Sequence, residues 1–494
     1  MNKPITTEEW PIYNCHIHTF TKAHTPRHFI IWALAEAKTG KINGWMIPVY
    51  LLGVIGYFGF LILLAKATIF LSARIDLLSL LGYPFLLLFQ AVLVIPIVLL
   101  VGILIALGVI VLLQGIIDLL LKIRSRRESR QDRSQLMQMK ETVARGQKKI
   151  IRSNLFFDLL VRINPASNDI FERTARFLKI SEQPTQEEVF QQVQRQYPNE
   201  ETVKTRFVVL PMDMGFMKLG ELDISIEDQH KELLALAKKF QPQIIPFYAA
   251  DPRHPDIVER VKNNLSRGKF EGIKIYPNLG YKPDDPKLME IYKLCIAGDF
   301  PVVTHCSPGG IWKYGLSREE RRANSEPLNY KRILDTPGYK TLKLNLAHFG
   351  GAEEWVKHLK GRTQEDEENE EKKKKDEPWV RTIYEMIASE EYPNLYTEIS
   401  YTAFTPKVQG LYIDLVDYLK VLLSNPRVRT RVLFGSDYYM VERESVSEKE
   451  ASILLRSRLG EDLYKQIAYT NPREFLCIET NEATTIKKKK STRR

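Results

Sequence analysis

The sequence lacks the cysteine patterns that stabilise small domains or hold structural metal ions. It has four cysteines in 494 residues, Cys15, Cys295, Cys306 and Cys477, and no two of them have Cys-x-x-Cys spacing. This spacing excludes a disulfide scaffold and a zinc ribbon. We expect the four thiols to be small buried side chains in a reducing compartment.

The sequence also lacks a motif that would assign its formal net charge of +11 to nucleic-acid binding. Its basic clusters, at 122–133 and in the tail 487–494, contain no interleaved aromatic residues. Basic clusters beside an apolar segment more often set membrane topology or contact anionic lipid. We therefore expect membrane lipid and a small-molecule substrate as partners, and no nucleic acid. The sequence leaves the oligomeric state open.

Charge is absent from two long stretches, 42–65 and 77–117. About twenty apolar residues suffice to cross a bilayer, so the sequence predicts a transmembrane insertion at 42–121. If the residues on either side build one site, the number of spans must be even; two spans are simplest and four are the alternative. The basic flanks favour the cytoplasmic side, which predicts an integral membrane protein with a cytoplasmic catalytic domain.

The rest of the chain alternates between short apolar runs and helical stretches. The runs are Pro11–Cys15, Arg206–Leu210, Ile244–Tyr248, Gly272–Tyr276, Pro301–Thr304, Leu342–Ala347, Asn394–Ile399 and Arg431–Phe434. Eight such strands predict an α/β fold, a (β/α)₈ TIM barrel with a transmembrane helical hairpin inserted after the first strand. A doubly wound sheet would need a glycine-rich turn after its first strand, and none is present.

These elements divide the chain into five predicted segments. They are the first strand and the start of its connection (1–41), the insertion (42–121), a basic linker with helices (122–200), the remainder of the barrel (201–480) and a basic tail (481–494).

Metal-binding residue types follow the predicted strands. Four of the nine histidines lie at strand ends, a carboxylate ends the eighth strand and a lysine lies in the fourth: His16, His18, His305, His348, Asp437 and Lys274. Residues two apart on a strand point to the same face, so His16 and His18 should both face the barrel mouth. A nitrogen and oxygen donor set of this kind suits Zn²⁺ with room for water.

Four short motifs resemble the amidohydrolase superfamily. They are Asn14-Cys15-His16-Ile17-His18, Thr304-His305-Cys306, Leu346-Ala347-His348-Phe349-Gly350-Gly351 and Phe434-Gly435-Ser436-Asp437. The sequence looks closest to the amidohydrolase-related branch that includes the aminocarboxymuconate-semialdehyde decarboxylase-like enzymes. The resemblance covers about residues 10–40 and 200–480, and the apolar insertion has no counterpart in it.

The resemblance implies a role for each of these residues. His16, His18, His305 and Asp437 correspond to the ligands of a divalent metal, most simply one Zn²⁺. His348 corresponds to a ligand of a second metal in binuclear members, and to an acid/base or carbonyl-polarising group in mononuclear ones. Lys274 occupies the place of a carboxylated lysine that bridges two metals in some members. The alternative for Lys274 is an ion-paired barrel lysine.

The leading interpretation is a membrane-anchored, metal-dependent hydrolase that acts on a C–N, C–O or similar bond. A metal lowers the pKa of its bound water toward about 7, and Asp437 would take the proton while His348 polarises the carbonyl. Tyr276 and Glu398 are candidate substrate-binding residues, and Glu398 could instead orient a histidine. Two alternatives remain open: a metal-dependent decarboxylase on the same barrel, and a non-catalytic membrane scaffold or sensor.

Overall fold

A computed structural model describes residues 10–27, 29, 176–177, 179–197, 205–360, 377–402, 412–443 and 447–478. The chain divides into two compact units, one formed by Met1–Ala33 with Arg173–Arg494 and the other by Leu34–Glu172. All elements given below belong to the first unit.

Short parallel strands form the centre of this unit. They are β1 (Tyr13–Ile17), β2 (Arg206–Val209), β3 (Ile244–Pro246), β4 (Tyr248–Ala249), β5 (Ile273–Ile275), β6 (Val302–His305), β7 (Leu344–Ala347), β8 (Leu395–Glu398) and β9 (Val432–Leu433). They pair in the orders β1-β2-β3 and β4-β5-β6-β7-β8-β9. The predicted third strand is interrupted at Phe247, which separates β3 from β4, so the nine segments represent eight barrel strands.

Hydrogen bonds between the two sheets, at both of their edges, close these strands into a cylinder. Phe247 N donates to Val209 O at 3.1 Å, and Tyr248 N donates to Gly272 O at 2.9 Å, so β3 and β4 connect the two sheets. On the other side, the amide of Cys15 in β1 donates to Phe434 O, just after β9, at 2.9 Å. The (β/α)₈ barrel predicted from the sequence is therefore confirmed.

Helices surround the barrel. Those described are α1 (Gln186–Gln194), α2 (Ile226–Lys239), α3 (Ile257–Asn264), α4 (Pro286–Gly298), α5 (Arg318–Ser325), α6 (Pro327–Asp335), α7 (Ala352–Lys360), α8 (Trp379–Ala388), α9 (Tyr412–Ser424), α10 (Pro426–Arg429), α11 (Met440–Arg443), α12 (Glu448–Leu459), α13 (Glu461–Lys465) and α14 (Asn471–Phe475). Side-chain caps fix where several of them begin. Ser225 accepts from Asp228 N before α2, and Ser447 accepts from Glu450 N before α12.

The barrel interior is apolar at its amino end. Alternate residues of the strands point inward, including Tyr13, Val208, Val303 and Leu433, and Phe475 of α14 packs against them. Because this end is filled by side chains, polar groups can gather only at the carboxyl end of the strands.

The described part of the chain has no helix long and apolar enough to cross a membrane. Its longest helix, α2, has 14 residues, about 21 Å at about 1.5 Å per residue, against a hydrocarbon core of about 30 Å. This finding overturns the prediction of an integral membrane protein with a cytoplasmic catalytic domain. The predicted insertion at 42–121, the basic cluster at 122–133 and the tail at 481–494 lie outside the described residues.

One buried histidine of the barrel wall is held in its neutral form. His230 of α2 accepts a hydrogen bond at Nε2 from Ala249 N at 3.0 Å, and its ring stacks on Tyr248 with centroids 4.0 Å apart. A protonated Nε2 could not accept this bond. Burial lowers the pKa of His230 to about 3.

We expect acid to weaken the fold through His230. In the unfolded chain a histidine binds a proton below about pH 6.5, whereas native His230 binds one only near pH 3. The unfolded state therefore holds more protons between these values, and the free energy of unfolding falls as pH drops. At pH 5 the loss from this group is about 2 kcal/mol, since each pH unit below about 6.5 contributes about 1.4 kcal/mol.

Chemical denaturation of the wild type and of His230→Gln near pH 7 and near pH 5 measures this loss. The glutamine carbonyl can still accept from Ala249 N but does not titrate. An equal acid-induced loss in both proteins would contradict the assignment.

Candidate metal centre

An irregularity in β1 sets the direction of the first histidine. Asn14 pairs with Phe207, and the next registered pair is Ile17 with Val209. Three steps along β1 thus match two along β2, which is a β-bulge. Bulges turn a side chain out of the regular alternation of a strand, and His16 lies within this one.

The two histidines of the His-x-His pair are held by their outer ring nitrogens. His16 Nδ1 lies 2.8 Å from Glu398 Oε1, and His18 Nδ1 lies 2.6 Å from the carbonyl oxygen of Leu210. Both partners are acceptors, so each Nδ1 is assigned the proton and each Nε2 keeps its lone pair. The two Nε2 atoms are 3.3 Å apart and face the same space.

Asp437 completes a close triangle with these nitrogens. Its Oδ1 lies 3.3 Å from His18 Nε2 and 3.8 Å from His16 Nε2, and this buried oxygen accepts no hydrogen bond from the described residues. The amide of Asp437 donates to His16 O at 2.8 Å, and its φ is 58°. Positive φ is uncommon outside glycine, and such strained residues cluster at functional sites.

The other two predicted histidines lie against this triangle and against each other. His348 Nε2 is 3.0 Å from His305 Nδ1, and His305 Nε2 is 2.9 Å from the carbonyl oxygen of Gly309. His348 offers a ring nitrogen within 4.8 Å of ligand atoms of both His16 and Asp437. All five predicted metal-binding or catalytic groups therefore converge at the carboxyl end of the barrel.

Glu398 lies behind the histidines and is fully occupied within the protein. Besides His16, its oxygens accept from His348 N at 3.1 Å, from Ser400 N at 2.5 Å and from Ser400 Oγ at 2.8 Å. A Cβ on Gly435 would lie 2.9 Å from His16 Cβ and 3.0 Å from Glu398 Oε2, so this close packing requires glycine. These contacts are those of a group that orients histidines, the second of the two roles considered for Glu398.

Lys274 and Tyr276 lie beside the histidines. Lys274 is 1% exposed, and its Nζ has no hydrogen-bond partner among the described residues. Burial lowers the pKa of Lys274 to about 8, although the charges of Glu398 and Asp437 act in the opposite direction. The ring of Tyr276 stacks on His305 with centroids 4.1 Å apart.

A small cavity, about the size of one water molecule, opens beside Lys274 and Tyr276. Its other lining residues are Pro211, Met212, Asp213, Ala249, Ala250, Asp251, Leu279 and Tyr281. Sequence reasoning missed Asp213 and Asp251, although each follows a strand as the predicted ligands do. His254 Nε2 lies 2.6 Å from Asp213 Oδ2. That contact raises the pKa of His254.

Burial and charge set the protonation of the centre. Desolvation, followed by the charge of Lys274, lowers the pKa of His16 well below its usual value. Desolvation likewise lowers the pKa values of His305 and His348. For Asp437 burial acts to raise the pKa, but the neighbouring imidazoles outweigh it and the pKa is lowered. His16, His305 and His348 are therefore neutral while Asp437 is ionised, the forms in which both groups bind metals.

The family comparison agrees with this arrangement. The family described as Amidohydrolase matches residues 182–478, more than half of the chain. The chain belongs to the amidohydrolase family. The match begins after β1, so the His16 and His18 strand lies outside the matched range and is joined to it by the barrel pairing.

Solved structures similar to this amidohydrolase include hydrolases and decarboxylases. A probable 2-pyrone-4,6-dicarboxylic acid hydrolase from Acinetobacter baumannii shares 11% identity over 58% of this chain and 88% of its own, with a TM-score of 0.39. A 2,6-dihydroxybenzoate decarboxylase from Rhizobium shares 12% identity over 56% of this chain and 86% of its own, with a TM-score of 0.39. A 5-carboxyvanillate decarboxylase from Novosphingobium aromaticivorans, complexed with manganese, shares 13% identity over 65% of this chain and 92% of its own, with a TM-score of 0.37. No curated protein matches the chain.

Proposed function

We propose that this amidohydrolase is a metal-dependent decarboxylase that acts on a small carboxylated molecule. The proposal has two parts, a divalent metal held by the converging histidines and Asp437, and a carboxylated substrate placed against Lys274. Hydrolysis at the same centre is the second candidate.

The donor atoms fit a divalent metal. In a tetrahedral site with bonds of about 2.0–2.1 Å, neighbouring ligand atoms lie about 3.4 Å apart. His16 Nε2, His18 Nε2 and Asp437 Oδ1 are separated by 3.3, 3.3 and 3.8 Å. The unbonded Oδ1 of Asp437 points to the same conclusion, because a buried carboxylate oxygen normally has a partner.

The fourth donor would come from the His305 and His348 pair. This nitrogen and oxygen set suits Zn²⁺ and also Mn²⁺. A divalent ion in this position acts as a Lewis acid and makes a bound water more acidic. Glu398 and the Leu210 carbonyl keep the proton on the Nδ1 atoms of His16 and His18, so that both Nε2 lone pairs stay available.

Lys274 is the reason for proposing decarboxylation rather than hydrolysis. An unpaired buried ammonium is costly, so a ligand beside Lys274 is expected to provide a counter-charge, and a carboxylate does so. Loss of CO₂ breaks the bond between the substrate carbon and its carboxyl group and leaves the electron pair on that carbon, which must then take a proton. Lys274, with a pKa of about 8, is a suitable donor at neutral pH.

Hydrolysis is favoured by a different group, the Asp437 carboxylate, whose second oxygen would accept a proton from an attacking water. Isotope labelling separates the two reactions. Metal-loaded protein is incubated with small aromatic and aliphatic carboxylic acids, and with esters, amides and lactones, in D₂O and in ¹⁸O-water. Decarboxylation releases CO₂ and leaves deuterium on the product carbon, whereas hydrolysis places ¹⁸O in the product and would overturn the first choice.

We expect Lys274→Met to lower kcat about 10²–10⁴-fold, the range for loss of a general acid. Lys274→Arg is the matched control, because it keeps the positive charge but cannot release a proton at neutral pH. If Lys274 is a proton donor, both variants lose kcat; if it only pairs with a carboxylate, the arginine variant keeps it. The carboxylated-lysine alternative predicts two metal ions per chain that fall to one or none in both variants.

A further inference from the structure

We infer that Asn14 is a positioning residue that fixes His16 and Asp437 relative to each other. The inference rests on the proposed metal site and concerns how the chain builds it. Asn14 lies two residues before His16, is fully buried and contacts neither the cavity nor the donor atoms.

The side-chain oxygen of Asn14 joins the two strand ends that carry the metal donors. Asn14 Oδ1 accepts from His16 N at 3.3 Å and from Ser436 N at 3.0 Å. The first amide lies in the bulge of β1, where the regular strand pairing is interrupted. The second belongs to the residue directly before Asp437. One acceptor therefore adds a side-chain link between two backbone segments that are also joined by the bonds from Cys15 N to Phe434 O and from Asp437 N to His16 O.

The amide nitrogen of Asn14 fixes the side chain itself. Asn14 Nδ2 has three acceptors within hydrogen-bond distance, which share its two protons: Tyr197 OH at 3.0 Å, Ser436 Oγ at 2.8 Å and Glu448 Oε1 at 3.0 Å. Tyr197 follows α1 and donates to Glu448 Oε1 at 2.5 Å, while Glu448 begins α12. All of these groups are buried. The Asn14 amide, which links the two strand ends, is thus itself fixed by Tyr197 after α1 and by Glu448 at the start of α12.

This arrangement needs both halves of an amide. An alanine would leave the bulge amide and the Ser436 amide without their acceptor. An aspartate would keep the acceptor but place a second carboxylate against Glu448. A network with these demands, two residues from a proposed ligand, is more specific than core packing alone requires.

The test compares metal affinity in two variants that each remove a buried asparagine. Asn471→Ala is the matched control, because Asn471 Nδ2 donates to Arg429 O at 2.8 Å and to Val432 O at 2.7 Å, at the opposite end of β9. Zn²⁺ and Mn²⁺ affinities are measured by titration against a competing chelator. We expect Asn14→Ala to weaken metal binding about 10–100-fold, the range for groups that orient ligands, and Asn471→Ala to change it by less than about threefold.

Thermal unfolding of the metal-free proteins shows whether both variants are folded and comparably destabilised. Unchanged metal affinity in folded Asn14→Ala, or an equal loss in both variants, would overturn the inference. If Asn14→Ala does not fold, Asn14→Asp replaces it. That variant keeps the acceptor, so we expect lower stability with metal affinity within about threefold of wild type, and a tenfold loss would contradict us. If the wild type itself binds no metal, the proposed function fails and not this inference alone.

Discussion

Replacement of His16 and His18 together by alanine should remove the metal and the activity while leaving the barrel folded. Loss of a group that merely orients a ligand costs about 10–100-fold in metal affinity, so loss of two direct ligands should cost at least about 10⁴-fold. Both rings are buried with their Nε2 atoms 3.3 Å apart, so alanine at both positions removes two of the proposed donors. Elemental analysis of purified protein should show a fall from one ion per chain to none.

His230→Gln is the control for this double variant, because it alters a buried histidine on α2 whose ring contacts Ala249 and Tyr248 rather than the donor atoms. It should keep one ion per chain. Two outcomes would contradict the metal-dependent function. They are equal metal content in the wild type and the double variant, and absence of metal from the wild type. Circular dichroism of each protein checks that loss of metal is not loss of fold.

Asp437→Asn should separate metal binding from catalysis. The asparagine carbonyl oxygen can still face His16 and His18, so we expect near-stoichiometric metal. If the reaction is hydrolysis, the asparagine cannot accept the proton of the attacking water, and removal of this general base lowers kcat by about 10²–10⁴-fold. Steady-state kinetics with the substrate found by isotope labelling, together with metal analysis of the same preparation, measure both effects.

Asp299→Asn is a suitable comparison for this variant. Asp299 precedes β6 at the amino end of the barrel, where it pairs with Lys343 at 2.8 Å. Its replacement should leave kcat within about threefold of wild type, as expected of a substitution remote from the site. Metal lost in parallel with activity in Asp437→Asn would show that Asp437 serves only as a ligand.

Much of the fold and the centre could be predicted from sequence because both follow from strand ends. Parallel strands of a barrel bring their carboxyl ends to one face, so His305, His348 and Asp437 could be placed together before any coordinates were known. The predicted strands agree with the observed ones to within about two residues. The exception is the third, where the interruption at Phe247 leaves no mark in the apolar pattern.

The parts that sequence did not reveal depend on backbone register and on distant side chains. The bulge in β1 adds one residue without changing the polar pattern. The rule that residues two apart share a face therefore placed His16 correctly, but it gave no role to Asn14. Apart from the amide of His16, the partners of Asn14 are 183 to 434 positions away. The apolar composition of 42–121 led to a membrane location that the described helices do not support.

The pairing order of the barrel also governs when the centre can form during protein synthesis. Ile17 of β1 and Arg206 of β2 are 189 positions apart, and β1 has its other neighbour at β9. At about 5–20 residues per second a ribosome needs roughly 10–40 s to make the first partner of β1 after β1 itself. His16 and His18 are synthesised more than 400 positions before Asp437, so the nascent chain carries both imidazoles without their carboxylate neighbour throughout that interval.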